Sequence, residues 1–331
     1  MTQRKGAMLV AMAAVCAAAT PAAGHDDGRR RIFSISSPEI TESSSLLVSS
    51  VAADLAYTTN DSGDTATIYA LDTSNGTLVG RTSLDGVDPV DVEALAGGSD
   101  GSVVVADIGD NDAVRDSVHL YQLPQPRRGD TVSTPREVEL TYVDGARDAE
   151  SAVYDADTGR VYIVSKELVN ASVYVTPPHV FERARAVLKP VAHALAIATD
   201  ATLLPGGDFA VVRSYGVATI YHFPSFERVK SFRLPPQQQG ESVAAPSSGG
   251  VVWVGSEGKR SPVLAVRLPG LSKPQPTPST QSPGRSTSNQ DTSSSGDRYR
   301  DVAQLVLVAA GVGFGLLLVG SAVVGVVSRR R

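Results

Sequence analysis

The sequence contains very little cysteine, histidine or tryptophan: one Cys, five His and one Trp in 331 residues. A chain with one cysteine forms no internal disulfide, so its folded domain must be stable through its hydrophobic core alone and should be of ordinary size. The histidines lie outside the acidic clusters described below, which argues against a Ser-His-Asp triad and a histidine-rich zinc site. The single tryptophan excludes repeats marked by a Trp-Asp pair.

Basic residues are scarcer than acidic ones, at 30 Lys and Arg against 35 Asp and Glu. Five of the basic residues lie at the two ends of the chain, as Arg4, Lys5 and residues 329–331. Without these five, 25 basic residues face 35 acidic ones, a net charge of −10. A surface of that sign repels nucleic acid, which is therefore not expected as a partner, and attracts cations.

The first 24 residues are typical of a secretory signal peptide. Arg4 and Lys5 precede an apolar run at 7–19, and small residues follow as far as Gly24. A basic start, a short apolar core and small residues at the cleavage point are the three parts of such a signal. The run is too short to cross a bilayer, which takes about 20 apolar residues. Because Cys16 lies within this segment, the mature chain is expected to contain no cysteine.

Residues 302–327 have the composition of a transmembrane helix, with 26 residues, no charge and much Leu, Val, Ala and Gly. As a helix this stretch would be about 39 Å long, enough to cross a membrane with some tilt. Three arginines follow, and positive residues concentrate on the cytoplasmic side. We therefore predict a single-pass protein of the cell membrane, with its N-terminus outside and a short basic cytoplasmic tail at 328–331.

The stretch between the two ends divides at residue 272. Residues 272–300 are rich in Ser, Thr, Pro and Gln without an apolar pattern, which is typical of a disordered stalk. Residues 31–271 show almost no helical periodicity. Short β-type runs alternate there with turns of Gly, Asp, Ser and Pro, which predicts an all-β ectodomain.

The β-type runs recur in units of four strands. First strands that begin with small and acidic residues are expected at 49–53, 91–96, 148–153, 199–203 and 240–244. Fourth strands are expected at 78–84, 136–142, 186–192 and 228–234. The fifth unit lacks a fourth strand, which the run at 31–35 would supply. Four antiparallel strands repeating every 41 to 57 residues predict a β-propeller of five blades. Six blades, or a β-sandwich, are the alternatives.

Antiparallel pairing places the start of a first strand and the end of a second strand at the same edge of a sheet. In a propeller, first strands line the central channel, so polar residues of successive units should meet at one channel mouth. The residues expected there are Asn60, Asp61, Asp91, Glu93, Asp107, Asp110, Asn111, Asp148, Glu150, Lys166, Glu167, Asp200, Arg213, Glu241 and Glu257.

Crowded carboxylates repel each other unless a cation or protons neutralise them. Ca²⁺, which binds six to eight oxygen atoms, suits such a site better than Zn²⁺. The predicted Ca²⁺ ligands are Glu93, Asp107, Asp110, Asn111 and Glu150, and the predicted contacts to a further ligand are Asp91, Asp148, Arg213, Glu241 and Glu257. The alternative is that Asp and Asn cap turns and that Glu residues accept backbone hydrogen bonds.

Several of these motifs also resemble those of a protein family. They are Asp91-Val92-Glu93, Asp107-Ile108-Gly109-Asp110-Asn111 with Arg115 and Leu123-Pro124-Gln125-Pro126, Asp148-Ala149-Glu150, and Gly240-Glu241-Ser242 with Gly255-Ser256-Glu257-Gly258. The chain resembles uncharacterised exported bacterial β-propeller proteins, which are distantly similar to calcium-dependent propeller phytases and esterase-like propellers. The resemblance covers residues 45–268, most firmly 87–155. It implies a propeller fold and a metal at the channel mouth, and it supplies no substrate.

Two functions remain open from the sequence. The first is a non-catalytic surface module that binds an envelope or extracellular ligand, which fits a tethered domain without a set of catalytic residues. The second is a metal-dependent hydrolase of the phosphoesterase, esterase or lactonase type. In the second case Ca²⁺ would polarise the substrate and Glu93 or Glu150 would act as the base.

Overall fold

The computed structural model describes residues 29–61, 65–169 and 171–271, and their regular structure is almost entirely β. The only helix in these ranges is one 3-10 turn, Val180–Glu182. The strands are β1 (Arg29–Ser34), β2 (Leu47–Val48), β3 (Leu55–Thr58), β4 (Thr67–Asp72), β5 (Leu78–Leu84), β6 (Val92–Gly97), β7 (Ser102–Asp107), β8 (Val118–Pro124), β9 (Thr131–Ser133), β10 (Arg136–Tyr142), β11 (Ala149–Asp155), β12 (Arg160–Ser165), β13 (Ala171–Val175), β14 (Arg185–Ala194), β15 (Asp200–Leu203), β16 (Phe209–Arg213), β17 (Val217–His222), β18 (Glu227–Arg233), β19 (Val243–Ala244), β20 (Val251–Val254) and β21 (Pro262–Arg267).

The predicted signal peptide at 1–24, the stalk at 272–300, the transmembrane helix at 302–327 and the tail at 328–331 all lie outside the described residues. Within the described ranges, no helix has the length and apolar character needed to cross a membrane. The predicted all-β class of residues 31–271 is confirmed for the described part of that range.

The strands form five antiparallel units of four, which we number in chain order. Units one to four are β2-β3-β4-β5, β6-β7-β8-β10, β11-β12-β13-β14 and β15-β16-β17-β18. Unit five is β19-β20-β21, and β1 completes it by pairing antiparallel to β21, as expected for the run at 31–35. Two parallel contacts extend this pattern: β9 adds to the edge of β5, and β10 pairs with β14, which joins units two and three into one sheet of eight strands.

The first strands of the five units form a closed ring. β2 packs against β6, β6 against β11, β11 against β15, β15 against β19, and β19 against β2. Five hydrophobic clusters fill the spaces between units, and each draws its side chains from two neighbouring units. The cluster between units five and one, for example, packs Phe33 and Val263 against Leu71. The core is therefore distributed around the ring.

The first strand of unit one lies before its predicted position. Residues 49–53 were expected to form it, but β2 is Leu47–Val48 and the chain then turns. The turn forms because the hydroxyl of Ser49 accepts hydrogen bonds from the backbone N–H groups of Val51 and Ala52, a local pattern that competes with a strand. Strand β9 was not predicted at all.

The buried carboxylate of Asp200 connects three of the first strands with the residues that lead into a fourth, β2. Asp200, at the start of β15, is fully buried and accepts backbone N–H groups from Val243, Ala201 and Leu46. The hydroxyl of Ser45 lies 3.4 Å from the same carboxylate and accepts the backbone N–H of Leu95 in β6. Burial raises the pKa of Asp200 well above its ordinary value, against the opposing effect of these donors.

Candidate functional site

Three carboxylates from units one and two meet at the edge where β6 begins. Asp61 follows β3, Asp91 immediately precedes β6, and Glu93 lies within β6. One oxygen of each lies within 4.8 Å of the others, and we call these residues the acidic trio. Asp91 and Glu93 are only 8% and 5% exposed, and Oδ1 of Asp91 has no hydrogen-bond partner. A buried carboxylate oxygen without a partner is unfavourable unless something binds it.

A β-bulge places Glu93 in this position. The pairing of β6 with β7 shifts between Val92 and Ala94, so Glu93 is the extra residue on β6. The equivalent shift in unit three lies between Ala149 and Ser151, so Glu150 is the extra residue on β11. Bulges redirect a side chain out of the normal alternation of a strand. Glu93 and Glu150 are therefore equivalent residues of neighbouring units, placed by the same local device.

Two members of the trio, Asp91 and Glu93, are destabilised in their ionised forms. Burial, followed by the charge of Asp61, raises the pKa of Asp91 to about 7. Burial, together with the charges of Glu150 and Asp61, raises the pKa of Glu93 well above its ordinary value. Near neutral pH these carboxyls must either keep protons or have a cation beside them. A divalent cation among the three oxygens would relieve both the repulsion and the unsatisfied Oδ1 of Asp91.

The remaining polar residues of this region surround one lysine. Lys166, at the end of β12, forms a salt bridge with Glu150, and Oε2 of Glu150 has no partner. Although burial opposes it, the charges of Glu150, Tyr215 and Glu241 raise the pKa of Lys166. The ammonium group therefore stays charged and neutralises part of this half of the site.

Two further carboxyls of unit five complete the region. Burial raises the pKa of Glu241 to about 7 against the opposing charges of Lys166 and Arg213. Burial and the charge of Glu241 raise the pKa of Glu257 to about 8. Together with the trio these residues come from all five units, and we call the whole set the polar cluster: Asp61, Asp91, Glu93, Glu150, Lys166, Tyr215, Glu241 and Glu257.

Two of the predicted metal ligands, Asp107 and Asp110, accept hydrogen bonds from backbone N–H groups. The carboxylate of Asp107 accepts the backbone N–H groups of Val90 and Asp91 at 3.1 and 2.8 Å and binds the guanidinium of Arg115 at 2.9 Å. The carboxylate of Asp110 accepts two backbone N–H groups from the same loop. This is the turn-capping alternative. It shapes the loop beside the trio and leaves these oxygens already engaged.

The other predicted residues lie at the margin of the site. Asn111 is exposed in the loop after β7. Asp148, which precedes β11, is half-buried and accepts the backbone N–H of Asp110 at 3.0 Å, so it joins the β7–β8 connection of unit two to the connection that enters unit three. Neither residue is brought into the acidic trio.

Arg213, which was predicted to contact a ligand, makes its hydrogen bonds within the fold. Arg213 is fully buried at the end of β16. Its guanidinium donates to the backbone carbonyls of Ser242, Gly255 and Tyr215 at 2.9 to 3.2 Å. Burial lowers its pKa to about 10. With its donors directed at carbonyls of units four and five, Arg213 connects these two units.

Sequence reasoning placed Asp61 at this edge without assigning it as a metal ligand, and it missed Tyr215. Asp61 lies just past the end of β3, as Glu257 lies just past the end of β20 and Tyr215 just past β16. These positions, three residues past β3 and β20 and two residues past β16, were the available signal.

A scan against protein-family models and a search of curated proteins both find no match to this chain. The resemblance to exported propeller proteins therefore remains a prediction.

Proposed function

We propose that this chain is a membrane-anchored extracellular five-bladed β-propeller that binds an envelope or extracellular ligand, with Ca²⁺ held by the acidic trio. The propeller is supported by the five four-stranded units, the ring of first strands and the completion of unit five by β1. In such a fold the polar cluster lies at one mouth of the central channel. The membrane anchor depends on the sequence alone.

The metal proposal rests on the proximity, burial and missing hydrogen bond of the acidic trio. Three carboxylates lie within 4.8 Å of one another, two of them are buried, and Oδ1 of Asp91 has no hydrogen-bond partner. Oxygen ligands in this number suit Ca²⁺, whose coordination shell tolerates irregular geometry. Three carboxylates leave coordination positions that oxygen atoms of a ligand can fill, so the cation would also form part of the binding surface.

Calorimetric titration of the full-length chain, stripped with chelator, tests this proposal. We expect heat of Ca²⁺ binding in the wild type, and about 2.7 kcal/mol of added stability at a Ca²⁺ concentration 100 times Kd. Asp91→Asn should abolish both effects. Asp112→Asn is the matched control, because Asp112 is an exposed aspartate outside the trio. Absence of heat and of any Ca²⁺-dependent stabilisation in the wild type would refute the metal site.

One observation favours the hydrolase as a second candidate. Oε2 of Glu150 is buried and has no hydrogen-bond partner. The charge of Glu150 is also the largest cause, second only to burial, of the raised pKa of Glu93. A carboxylate with a free oxygen beside a metal is placed to accept a proton from water or substrate. A screen of phosphoesters and lactones with Ca²⁺, repeated with Glu150→Gln, decides between the candidates. Turnover that this substitution abolishes would favour the hydrolase.

A further inference from the structure

Large apolar side chains are exposed at the edge of the sheets that holds the polar cluster. They lie in four connections between strands, which join β5 to β6, β7 to β8, β10 to β11, and β12 to β13. Their exposed apolar residues, which we call the apolar arc, are Val90, Val114, Val143, Leu168 and Val169. Each is 57% to 72% exposed. The opposite edge of the same ring carries one exposed large apolar residue in the described ranges, Val51.

The four connections contact each other in sequence and form one surface. The backbone N–H of Val90 donates to Asp107 at the start of the next connection. The backbone N–H of Asp110 donates to Asp148, which joins the second connection to the third. Arg147 in the third lies 3.6 Å from Glu167 in the fourth. The four connections that carry the apolar arc are therefore contiguous, and they border the side of the polar cluster formed by units two and three.

The surface around the apolar arc is acidic. The four connections (85–91, 108–117, 143–148 and 166–169) hold nine acidic residues and three basic ones. All three basic side chains are already paired within the protein, since Arg115 binds Asp107, Arg147 binds Asp144 and Lys166 binds Glu150. Acidic residues also lie within two positions of each apolar one: Asp88 before Val90, Asp112 and Asp116 on either side of Val114, Asp144 after Val143, and Glu167 before Leu168 and Val169.

We propose that the apolar arc and its acidic flanks bind a polypeptide segment of another protein in which lysine or arginine residues alternate with large apolar ones. This inference rests on the proposed binding role and names the class of partner. Apolar side chains of the partner would cover the exposed valines and leucine. Its cations would lie against Asp88, Asp112 and Asp116, which are exposed. Charge complementarity would speed the encounter and exclude acidic partners.

The sign of the charge selects this occupant over two others. A second copy of the chain would bring the same acidic connections together, and like charges brought together at an interface oppose association. A bacterial membrane surface rich in anionic lipid would be repelled in the same way. A basic, apolar polypeptide satisfies both the hydrophobic and the electrostatic character of the surface.

The test is fluorescence anisotropy with labelled 14-residue peptides and the full-length chain, in Ca²⁺ and again in EDTA. The probes are a Lys/Leu peptide, a Lys/Ser peptide and a Glu/Leu peptide. We expect the Lys/Leu peptide to bind. The double variant Val114→Ser/Val169→Ser should weaken binding by about tenfold or more, because the peptide then buries two fewer valine side chains. Val229→Ser/Val51→Ser, which alters exposed valines outside the four connections, is the control and should bind as the wild type does.

Asp112→Asn/Asp116→Asn should also weaken binding and reduce its dependence on salt. Equal binding of the Glu/Leu peptide, or equal Kd values for the two valine double variants, would overturn the proposal. Binding of phosphatidylglycerol vesicles through Val114 and Val169, or concentration-dependent dimerisation lost in that variant, would overturn it in favour of another occupant. Peptide binding that persists in EDTA while Ca²⁺ titration gives no heat would leave this inference standing and remove the metal site alone.

Discussion

Two buried aspartates of the ring, Asp200 and Asp91, differ in what surrounds them. Asp200 is fully buried and accepts three backbone N–H groups and the hydroxyl of Ser45. Asp91 is almost as buried, but its Oδ1 has no partner and its neighbours are carboxylates. A buried carboxylate with its hydrogen bonds satisfied stabilises a fold, whereas one that lacks partners costs stability. The difference separates a structural aspartate from a candidate binding residue.

The substitution with the largest expected effect on stability is Asp200→Ala, which tests the structural role of this aspartate. Removing the carboxylate leaves the buried N–H groups of Val243, Ala201 and Leu46 without their acceptor. We expect the free energy of unfolding to fall by about 3 kcal/mol or more, at 1–3 kcal/mol for each buried group left unsatisfied. Urea denaturation measures it. An effect below about 1 kcal/mol would show that water replaces the carboxylate and that Asp200 is not a structural link.

Asp91→Asn should act in the opposite direction when no divalent cation is present. The substitution removes one of several crowded charges, so in EDTA stability should be unchanged or higher by less than about 1 kcal/mol. With Ca²⁺ the same variant should lack the stabilisation that the wild type gains. Thermal melts of both proteins in EDTA and in Ca²⁺ measure this. A large loss of stability in EDTA would place Asp91 with Asp200 as a structural residue.

The pH dependence of stability sharpens the comparison further. Glu241 and Glu257 have pKa values raised by burial from an ordinary 4.5 to about 7 and about 8. Because the folded state then binds more protons than the unfolded state, stability should be fully present near pH 4.5 and be lost as pH rises through 7 and 8. In EDTA the melting temperature should therefore fall by a few degrees between pH 5 and pH 8.5.

Glu241→Gln/Glu257→Gln should make that fall smaller, since the amides do not titrate, while Asp91 and Glu93 still contribute. Saturating Ca²⁺ should offset the fall, because its affinity for the trio rises as Asp91 and Glu93 lose protons. A melting temperature that rises from pH 5 to pH 8.5 in EDTA would contradict the assignment of raised pKa values.

The smallest expected effect belongs to Ser49→Ala. The hydroxyl of Ser49 accepts the N–H groups of Val51 and Ala52 and the hydroxyl of Tyr57 at 3.0 to 3.2 Å. Losing these contacts should cost about 1 kcal/mol of unfolding free energy. Urea denaturation of this variant beside the wild type measures it. Equal stabilities of the two proteins would mean that the turn after β2 does not depend on this hydroxyl.

Much of the strand pattern could be predicted from the sequence. Strands β5 and β10 have the predicted bounds, 78–84 and 136–142, because turns of Gly, Pro and Asp flank runs of β-forming residues on both sides. The predicted position of the first strand of unit one was wrong, because Ser49 forms a turn there through its own side chain. No local pattern marks where β2 begins.

The site could be predicted only in part, because its details depend on contacts between units. The bulges that carry Glu93 and Glu150 reflect the register of neighbouring strands, which alternation does not reveal. Arg213 was predicted to contact a ligand, and its burial could not be foreseen because unit five supplies the carbonyls around it. Asp61 joins the trio only because unit one packs beside unit two.

The most direct test of the account is a crystal structure of the protein grown with Ca²⁺, with anomalous differences used to locate the ion. We predict one peak between Asp61, Asp91 and Glu93, with carboxylate oxygens at about 2.3–2.6 Å and Oδ1 of Asp91 among them. A peak at the loop of Asp110 and Asn111, or no peak in this region at saturating Ca²⁺, would contradict it.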